Sequence, residues 1–178
     1  MELTPDVILR AYAAGVFPMA ETREDQELFW VDPNMRGLIP LDQFHISRSL
    51  KKVVRRKTFE IRYDKEFQSV VRACAESRRN GDDTWINDKI VELYSALHKM
   101  GHAHSVECWQ DQTLVGGLYG LSIGGAFFGE SMFSRAKDAS KVALVYLVAR
   151  LRIAEYRLLD TQFITEHLKQ FGAIEISR

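Results

Sequence analysis

Two polar side chains stand two positions apart in a segment that is otherwise mostly apolar. Asp160 and Gln162 belong to the sequence LLDTQF at positions 158–163, which is typical of a buried strand. Because alternate side chains of a strand point to the same face, the carboxyl and the amide are expected to lie side by side. A buried polar group needs either a hydrogen-bond partner or a chemical task. The pattern therefore fits a structural pair and a catalytic pair equally well.

Glu130 raises the same question at the end of another predicted strand. The residues before it include Phe127 and Phe128, which favour burial of this segment. A carboxyl group beside such a strand can be a structural hydrogen-bond acceptor or a member of an active site. The sequence alone leaves both interpretations open.

Three histidines and an acid, His98, His102, His104 and Glu107, lie close together in the chain. Their spacing crosses a predicted helix end and matches no strong zinc pattern, so structural histidines are the favoured interpretation. The chain also contains no G-x-x-x-x-G-K segment and no G-x-G-x-x-G segment. The sequence therefore indicates neither a metal nor a nucleotide cofactor.

A predicted helix at 45–57 separates apolar from basic side chains. One face carries Ile46, Leu50, Val53 and Val54, and the other carries the cations Arg48, Lys52, Arg55 and Arg56. Cations on one side of a rigid element can follow a phosphate backbone and supply affinity that does not depend on sequence. A solvated face of an ordinary amphipathic helix explains the same pattern.

Composition sets limits on the kind of protein. The chain has 178 residues, of which 46% are hydrophobic, and this is enough to build a core. Its 24 basic and 24 acidic residues balance, so the net charge does not indicate a nucleic-acid partner. Cys74 and Cys108 make no disulfide framework, which fits a reducing compartment. Glu2 and Asp6 stand where a signal peptide is basic, and the apolar run at 142–149 is too short to cross a bilayer. A cytoplasmic protein is expected.

The periodicity of the chain predicts the elements that must position these side chains. An irregular segment at 20–40 separates a first helix from the rest, and a domain boundary is placed near residue 40. Predicted helices are 5–14, 45–57, 65–79, 88–100, 140–156 and 166–171. Predicted strands are 58–63, 103–109, 113–121, 125–130, 157–163 and 173–176, with a hairpin at 110–112 and a turn at 80–83. This order describes an α+β sheet domain.

Several of these segments resemble, as strings, the leucyl/phenylalanyl-tRNA–protein transferase family. The first half contains GVFP at 15–18, FHISRSL at 44–50 and TWI at 84–86. The second half contains GHAHSVE at 101–107, LVGGLYG at 114–120, FFGESMFS at 127–134, ASKVAL at 139–144, LLDTQF at 158–163 and FGAIEI at 171–176. The motifs follow the family's order and spacing over almost the whole chain.

The resemblance implies a fold and an activity. The fold would be an acetyltransferase-like (GNAT-type) α+β mixed sheet with flanking helices at 41–178, with a small N-terminal domain at 1–40. The activity would be transfer of leucine or phenylalanine, with methionine as a further donor, from aminoacyl-tRNA to an N-terminal Arg or Lys. Acceptors would thereby be marked for degradation by the N-degron (N-end rule) pathway, without a cofactor or a metal.

The resemblance also implies roles for individual residues. Asp160 and Gln162 match catalytic positions. From their spacing on one strand, we expect the side-chain carbonyl of Gln162 to accept a hydrogen bond from the attacking amine, with Asp160 orienting and polarising that amide. Glu130 would bind the cationic acceptor, and Met19 stands where the family often has a tryptophan. The tRNA would contact Arg48, Lys52, Arg55 and Arg56, and the donor end would contact Trp85, Phe127, Met132, Leu144, Leu159 and Thr161.

Two alternatives share parts of this pattern. A CoA-dependent acetyltransferase would have the same fold, but this sequence lacks the usual pyrophosphate-binding loop of that class. A tRNA-binding module without enzymatic activity would need only the basic helix at 45–57.

Overall fold

A seven-stranded mixed sheet with helices on both faces dominates the computed structural model, which describes residues 3–22, 24, 27–76 and 84–177. The helices are α1 (Pro5–Ala13), α2 (Arg48–Arg55), α3 (Phe67–Glu76), α4 (Asp88–Lys99), α5 (Ala139–Ile153) and α6 (Glu166–Lys169). The strands are β1 (Phe17–Met19), β2 (Phe29–Val31), β3 (Met35–Leu38), β4 (Glu60–Tyr63), β5 (Ala103–Gln110), β6 (Thr113–Ile123), β7 (Ala126–Ser134), β8 (Leu158–Gln162) and β9 (Ile174–Ser177).

Local signals in the sequence begin several of the helices. The side chains of Thr4, Ser47 and Asn87 accept hydrogen bonds from the first turns of α1, α2 and α4. These residue types satisfy main-chain N–H groups that have no partner within the helix. Pro5 opens α1, and Gly15 follows it with a φ of 82°, a conformation that favours glycine.

The large sheet opens between β7 and β8. Its strand order is β4-β5-β6-β7-β8-β3-β9, in which the β7–β8 pair is parallel and the other described pairs are antiparallel. The parallel pairing joins residues 126–128 to residues 158–160, whereas β7 stays paired with β6 as far as Ser134. Gly120 allows β6 to approach at this point, because a Cβ there would lie 2.2 Å from the carbonyl oxygen of Phe128. The opening therefore begins where the pairing of β7 with β8 ends, after residues 128 and 160.

Each face of the sheet has its own apolar core. One core joins α1, α3 and α4 to the sheet around Tyr94, Tyr119 and Phe128. The other joins α2, α5 and α6 to it around Leu118 and Phe127. The opening between β7 and β8 lies between these two cores, so residues from both can reach it.

The predicted α+β mixed sheet with flanking helices is confirmed, with some changes in its elements. The segment at 20–40, predicted to be irregular, contains β2 and β3, and β7 continues four residues beyond its predicted end. The helix predicted at 45–57 is shorter at both ends, since Ser47 caps it. The turn predicted at 80–83 and the predicted helix end at 77–79 lie outside the described residues.

Two further expectations concern the whole chain. The boundary near residue 40 stays a prediction, although β3 is a strand of the large sheet and therefore joins residues from both sides of that boundary. Among the described helices, none is long and apolar enough to span a membrane.

Candidate active site

A cavity of about 350 Å³ occupies the opening between β7 and β8. Its walls combine the ends of these two strands with side chains from both cores. The lining residues are Met19, Trp85, Leu118, Tyr119, Gly129, Glu130, Ser131, Met132, Leu147, Thr161, Gln162, Phe163, Thr165, His167 and Leu168. A cavity with mostly apolar walls and a few converging polar groups is the usual form of a small-ligand site.

Glu130 is the polar centre of this cavity. Its carboxylate accepts hydrogen bonds from the hydroxyl of Tyr12 at 2.7 Å, from that of Tyr94 at 3.3 Å and from Nε2 of Gln162 at 3.0 Å. Desolvation raises the pKa of Glu130 to about 7, although the three hydrogen bonds act in the opposite direction. The group therefore changes its charge near neutral pH.

Gln162 is held in an unusual main-chain conformation at the end of β8. Its φ is 63°, in the left-handed region that few residues other than glycine adopt. Its N–H group donates to Oδ1 of Asp160 at 2.7 Å, while its side-chain amide donates to Glu130. The side-chain carbonyl has no hydrogen-bond partner within the described chain, so it can accept one from a ligand.

Asp160 is buried and paired with Arg36. Nη2 and Nε of Arg36 lie 2.9 Å and 3.0 Å from Oδ2 of Asp160. Arg36 also donates to the carbonyl oxygen of Gly15 at 3.0 Å and lies over the ring of Phe17. The prediction that Asp160 polarises the side-chain amide of Gln162 is wrong for this structure, because Asp160 binds the main chain of that residue and Glu130 binds its amide.

The structure separates the six predicted donor-contact residues into two groups. Trp85, Met132 and Thr161 line the cavity. Phe127, Leu144 and Leu159 do not line it but are buried in the core on the α5 face. An apolar residue that lines a cavity and one that fills a core have the same appearance in a sequence.

Several residues of the site were not predicted from the sequence. Leu118, Leu147 and Leu168 provide apolar walls, and Tyr12 and Tyr94 donate to Glu130. Tyr12 and Tyr94 lie on the buried faces of two amphipathic helices. Their positions in the sequence indicate burial, and a buried tyrosine hydroxyl needs a hydrogen-bond partner. The sequence does not show which residue that partner is.

The four predicted tRNA-binding cations lie together on an exposed surface. Arg48, Lys52 and Arg55 are on α2, Arg56 follows as its C-cap, and all four side chains are exposed. The residues just before α2 contact the end of α6, because Phe44 stacks on Phe171 and the His45 N–H donates to the Phe171 carbonyl at 3.0 Å. This basic surface is therefore attached to the same segment that supplies Leu168 to the cavity.

The predicted histidine cluster has structural partners. His104 lies 2.8 Å from Asp64, and Nδ1 of His98 lies 2.7 Å from the carbonyl oxygen of Ala103. The Asp64 hydrogen bond raises the pKa of His104. Glu107 is completely buried and accepts the main-chain N–H groups of residues 65 and 66, just before α3. Within residues 3–22, 24, 27–76 and 84–177, no group of three His, Cys, Asp or Glu side chains could hold a metal ion.

Comparison with protein families accounts for nearly the whole chain. The model described as leucyl/phenylalanyl-tRNA protein transferase matches residues 38–178, and the model of that family's N-terminal domain matches residues 1–34. The chain belongs to the leucyl/phenylalanyl-tRNA–protein transferase family. Its activity is therefore transfer of an aminoacyl group from leucyl- or phenylalanyl-tRNA to protein, as the sequence motifs predicted.

Curated relatives agree with this assignment. A leucyl/phenylalanyl-tRNA–protein transferase of Paramagnetospirillum magneticum is 61% identical, over 99% of this chain and 84% of its own length. One from Rhodopseudomonas palustris (strain TIE-1) is 60% identical, over 99% of this chain and 79% of its own length.

Solved structures share the fold at low sequence identity. FemX superimposes with a TM-score of 0.61 and 12% identity, over 97% of this chain and 66% of its own. A conserved protein of unknown function from Staphylococcus epidermidis gives a TM-score of 0.51 and 8% identity, over 99% of this chain and 66% of its own. At these identities the likeness concerns the fold of the family alone.

Proposed function

We propose that this chain joins leucine or phenylalanine, with methionine as a further donor, to the N-terminal Arg or Lys of acceptor proteins, and so marks them for N-degron degradation. The reaction takes place in the cavity between β7 and β8. The observation that carries the proposal is the hydrogen bond between Gln162 and Glu130. Gln162 can orient an amine and Glu130 can bind a cation, and the hydrogen bond holds the two groups together. The rest of the cavity is mostly apolar.

The donor amino acid occupies the apolar part of the cavity. Leu118, Met132, Leu147 and Leu168 lie on the walls that face the α5 core. Burying a leucine or phenylalanine side chain there releases water from apolar surface, whereas a polar side chain would lose hydration without finding a partner. Trp85, on the opposite core, supplies a flat ring for the terminal adenosine of the tRNA.

Glu130 selects the acceptor by charge. Its carboxyl group has a pKa of about 7, so it is partly protonated when the cavity is empty. An entering Arg or Lys side chain places a positive charge beside it, which lowers that pKa and favours the carboxylate. An acceptor that begins with an uncharged residue gains no such interaction and binds more weakly.

Gln162 orients the attacking amine. Its free side-chain carbonyl accepts a hydrogen bond from the acceptor's α-amine, while its Nε2 remains bonded to Glu130. The amine nitrogen forms a bond to the ester carbonyl carbon, the bond from that carbon to the ribose oxygen breaks, and the ribose oxygen leaves with a proton from the amine. An amide is not a base at neutral pH, so Gln162 contributes alignment. Alignment is sufficient because an α-amine has a pKa of roughly 7.7 to 8, so part of it is already neutral and able to attack at neutral pH.

The basic surface of α2 binds the tRNA body. Arg48, Lys52, Arg55 and Arg56 are exposed, and no ion pair with another described residue involves them. Cations without an internal partner are free to neutralise phosphates. The contact between Phe44 and Phe171 fixes this surface relative to the cavity wall formed by α6.

The test is transfer of labelled phenylalanine from charged tRNA to a peptide that begins with Arg, beside a peptide that begins with Ala. We expect label on the Arg peptide with the wild type and a reduction of about 100-fold or more in kcat/KM with Gln162→Ala, because alignment dominates such a reaction. Ser122→Ala, which changes a residue outside the cavity lining, is the control. Equal labelling of both peptides would exclude the acceptor rule, and bound tRNA without any transfer would support a binding module.

A further inference from the structure

A tight turn at the end of β8 brings an aromatic side chain to the mouth of the cavity. The N–H of Phe163 donates to the carbonyl oxygen of Thr161 at 2.7 Å, so Gln162, with its φ of 63°, is the centre of the turn. A hydrogen bond between residues i and i+2 around a positive φ is the form of a γ-turn, which is rare in proteins. Gly37 of β3 accommodates the turn, because a Cβ there would lie 2.7 Å from the carbonyl carbon of Phe163 and 2.8 Å from Oγ1 of Thr161. Phe163 thus directly follows the residue that orients the acceptor amine.

Phe163 differs in exposure from the other apolar side chains of the cavity wall. It lines the cavity and is 46% exposed. The wall residues that are buried are Trp85, Leu118, Leu147 and Leu168. The ring of Phe163 packs edge-on against Phe17, a core residue, with 5.8 Å between the ring centroids. A ring that is held on one side, lines a cavity and also faces solvent lies at the mouth of that cavity.

The acceptor protein has to pass this mouth. A cavity of about 350 Å³ that already holds the donor has room for the first residue of the acceptor, and the following residues must leave it. The proposed function places the α-amine at the side-chain carbonyl of Gln162 and the first side chain beside Glu130. In an extended chain, consecutive side chains point to opposite sides and their Cα atoms are about 3.8 Å apart. The second side chain therefore points away from Glu130, within reach of the residue that follows Gln162.

We propose that Phe163 forms a binding site for the second residue of the acceptor protein, and that this site favours a large apolar side chain such as leucine or phenylalanine. The inference rests on the proposed function, because it assumes that the N-terminal Arg or Lys lies between Glu130 and Gln162. A leucine side chain on the exposed part of the Phe163 ring removes apolar surface of both partners from water, whereas serine removes little. Glu130 then selects the first residue by its charge, and Phe163 selects the second by its apolar surface.

The experiment uses two acceptor peptides that begin with Arg-Leu and Arg-Ser and are otherwise identical. Labelled phenylalanine is transferred from charged tRNA by the full chain, and the acceptor KM is measured for each peptide. We expect the wild type to have an acceptor KM about 5-fold lower for the Arg-Leu peptide, and Phe163→Ala to reduce this preference to less than about 2-fold. A 3′-amide analogue of leucyl-adenosine should bind both proteins with the same Kd by calorimetry, because the donor occupies the inner walls of the cavity. A weaker Kd for Phe163→Ala, with the peptide preference retained, would assign the ring to the donor.

Two further variants separate the apolar contact from the turn itself. Phe163→Leu keeps an apolar side chain at the mouth and should retain a preference of about 3-fold for the Arg-Leu peptide. Ile153→Ala removes an exposed apolar side chain at the end of α5, outside the cavity lining, and should leave the full preference.

Equal KM values for the two peptides with the wild type, or a preference that survives Phe163→Ala, would overturn the inference. Transfer to both Arg peptides would still support the proposed function in that case. No transfer to either Arg peptide by the wild type would instead remove the proposed function, and this inference with it.

Discussion

At the scale of single residues, Asp160 and Gln162 have different tasks although they lie two positions apart. Asp160 is enclosed with Arg36 away from the cavity lining and binds the main chain of Gln162. Gln162 alone of the two reaches the cavity. We therefore interpret Asp160 as a positioning residue that holds Gln162 at its positive φ.

This difference predicts that the two residues contribute unequally to stability. Asp160→Asn leaves the buried guanidinium of Arg36 without a counter-charge, so the free energy of unfolding should fall by about 3 kcal/mol or more. Gln162→Ala removes one hydrogen bond and should lower the free energy of unfolding by only about 1 kcal/mol, while it removes most transfer. Urea unfolding and transfer assays on both variants check this. An Asp160→Asn protein as stable as the wild type would contradict the structural task that we assign to Asp160.

Glu130 makes stability depend on pH in an unusual direction for an acid. Its pKa is raised from 4.5 to about 7 in the folded chain, so folding favours the protonated form. The free energy of unfolding is raised by this preference below pH 4.5. The added stability declines as the pH rises and is lost above about pH 7. The change amounts to at most about 3 kcal/mol.

Glu130→Gln removes this titration and should reveal it. Relative to the wild type, the variant should gain stability between pH 5 and pH 8, whatever its absolute stability, since glutamine does not ionise. Urea unfolding of both proteins at the two pH values measures the difference. If the two free energies of unfolding change in parallel with pH, Glu130 does not carry the raised pKa.

At the scale of elements, local signals in the sequence identified most helices and the central hairpin. α1 and α4 each begin directly after a capping side chain, so a few neighbouring residues are enough to predict where the helix starts. β2 and β3 have three and four residues, and β3 exists because it pairs with β8 and β9, more than a hundred positions away. No local pattern records such a pairing.

The basic helix α2 makes a prediction that belongs to this scale. Replacing Arg55 and Arg56 by alanine should weaken tRNA binding similarly for every charged tRNA, and should reduce the slope of log K against log salt by about 2. Filter binding at several salt concentrations measures the slope. Arg72→Ala is the control, because Arg72 is on α3 and pairs with Asp88. An unchanged slope in the double variant would place the tRNA elsewhere.

At the scale of the whole molecule, the site exists because two cores and two diverging strands meet. Glu130, Asp160 and Gln162 could be found from the sequence, since polar residues in apolar strands stand out. Arg36, Tyr12 and Tyr94 could not, because only the fold brings them to those three residues. The cavity walls at Leu118, Leu147 and Leu168 have the same apolar character as the cores that they continue.

Because the cavity takes its walls from both cores, a donor that fills it should stabilise the molecule as a unit. Met19, Trp85 and Tyr119 belong to one core, and Leu118 and Leu168 to the other. At 100 times its Kd, the 3′-amide analogue of leucyl-adenosine should add about 2.7 kcal/mol to the free energy of unfolding. For a chain of this length that corresponds to an increase in Tm of roughly 5 to 10 °C.

The two halves of the analogue separate the contributions of the two walls. Adenosine alone should contact the side of Trp85 and leucinamide alone the side of Leu118, so at equal concentration each should raise Tm less than the joined molecule does. Thermal unfolding followed by circular dichroism, with the three ligands in parallel, gives the comparison. If adenosine alone produced the full increase, the apolar half of the cavity would not hold the donor side chain, and leucine and phenylalanine would have to be selected at another place.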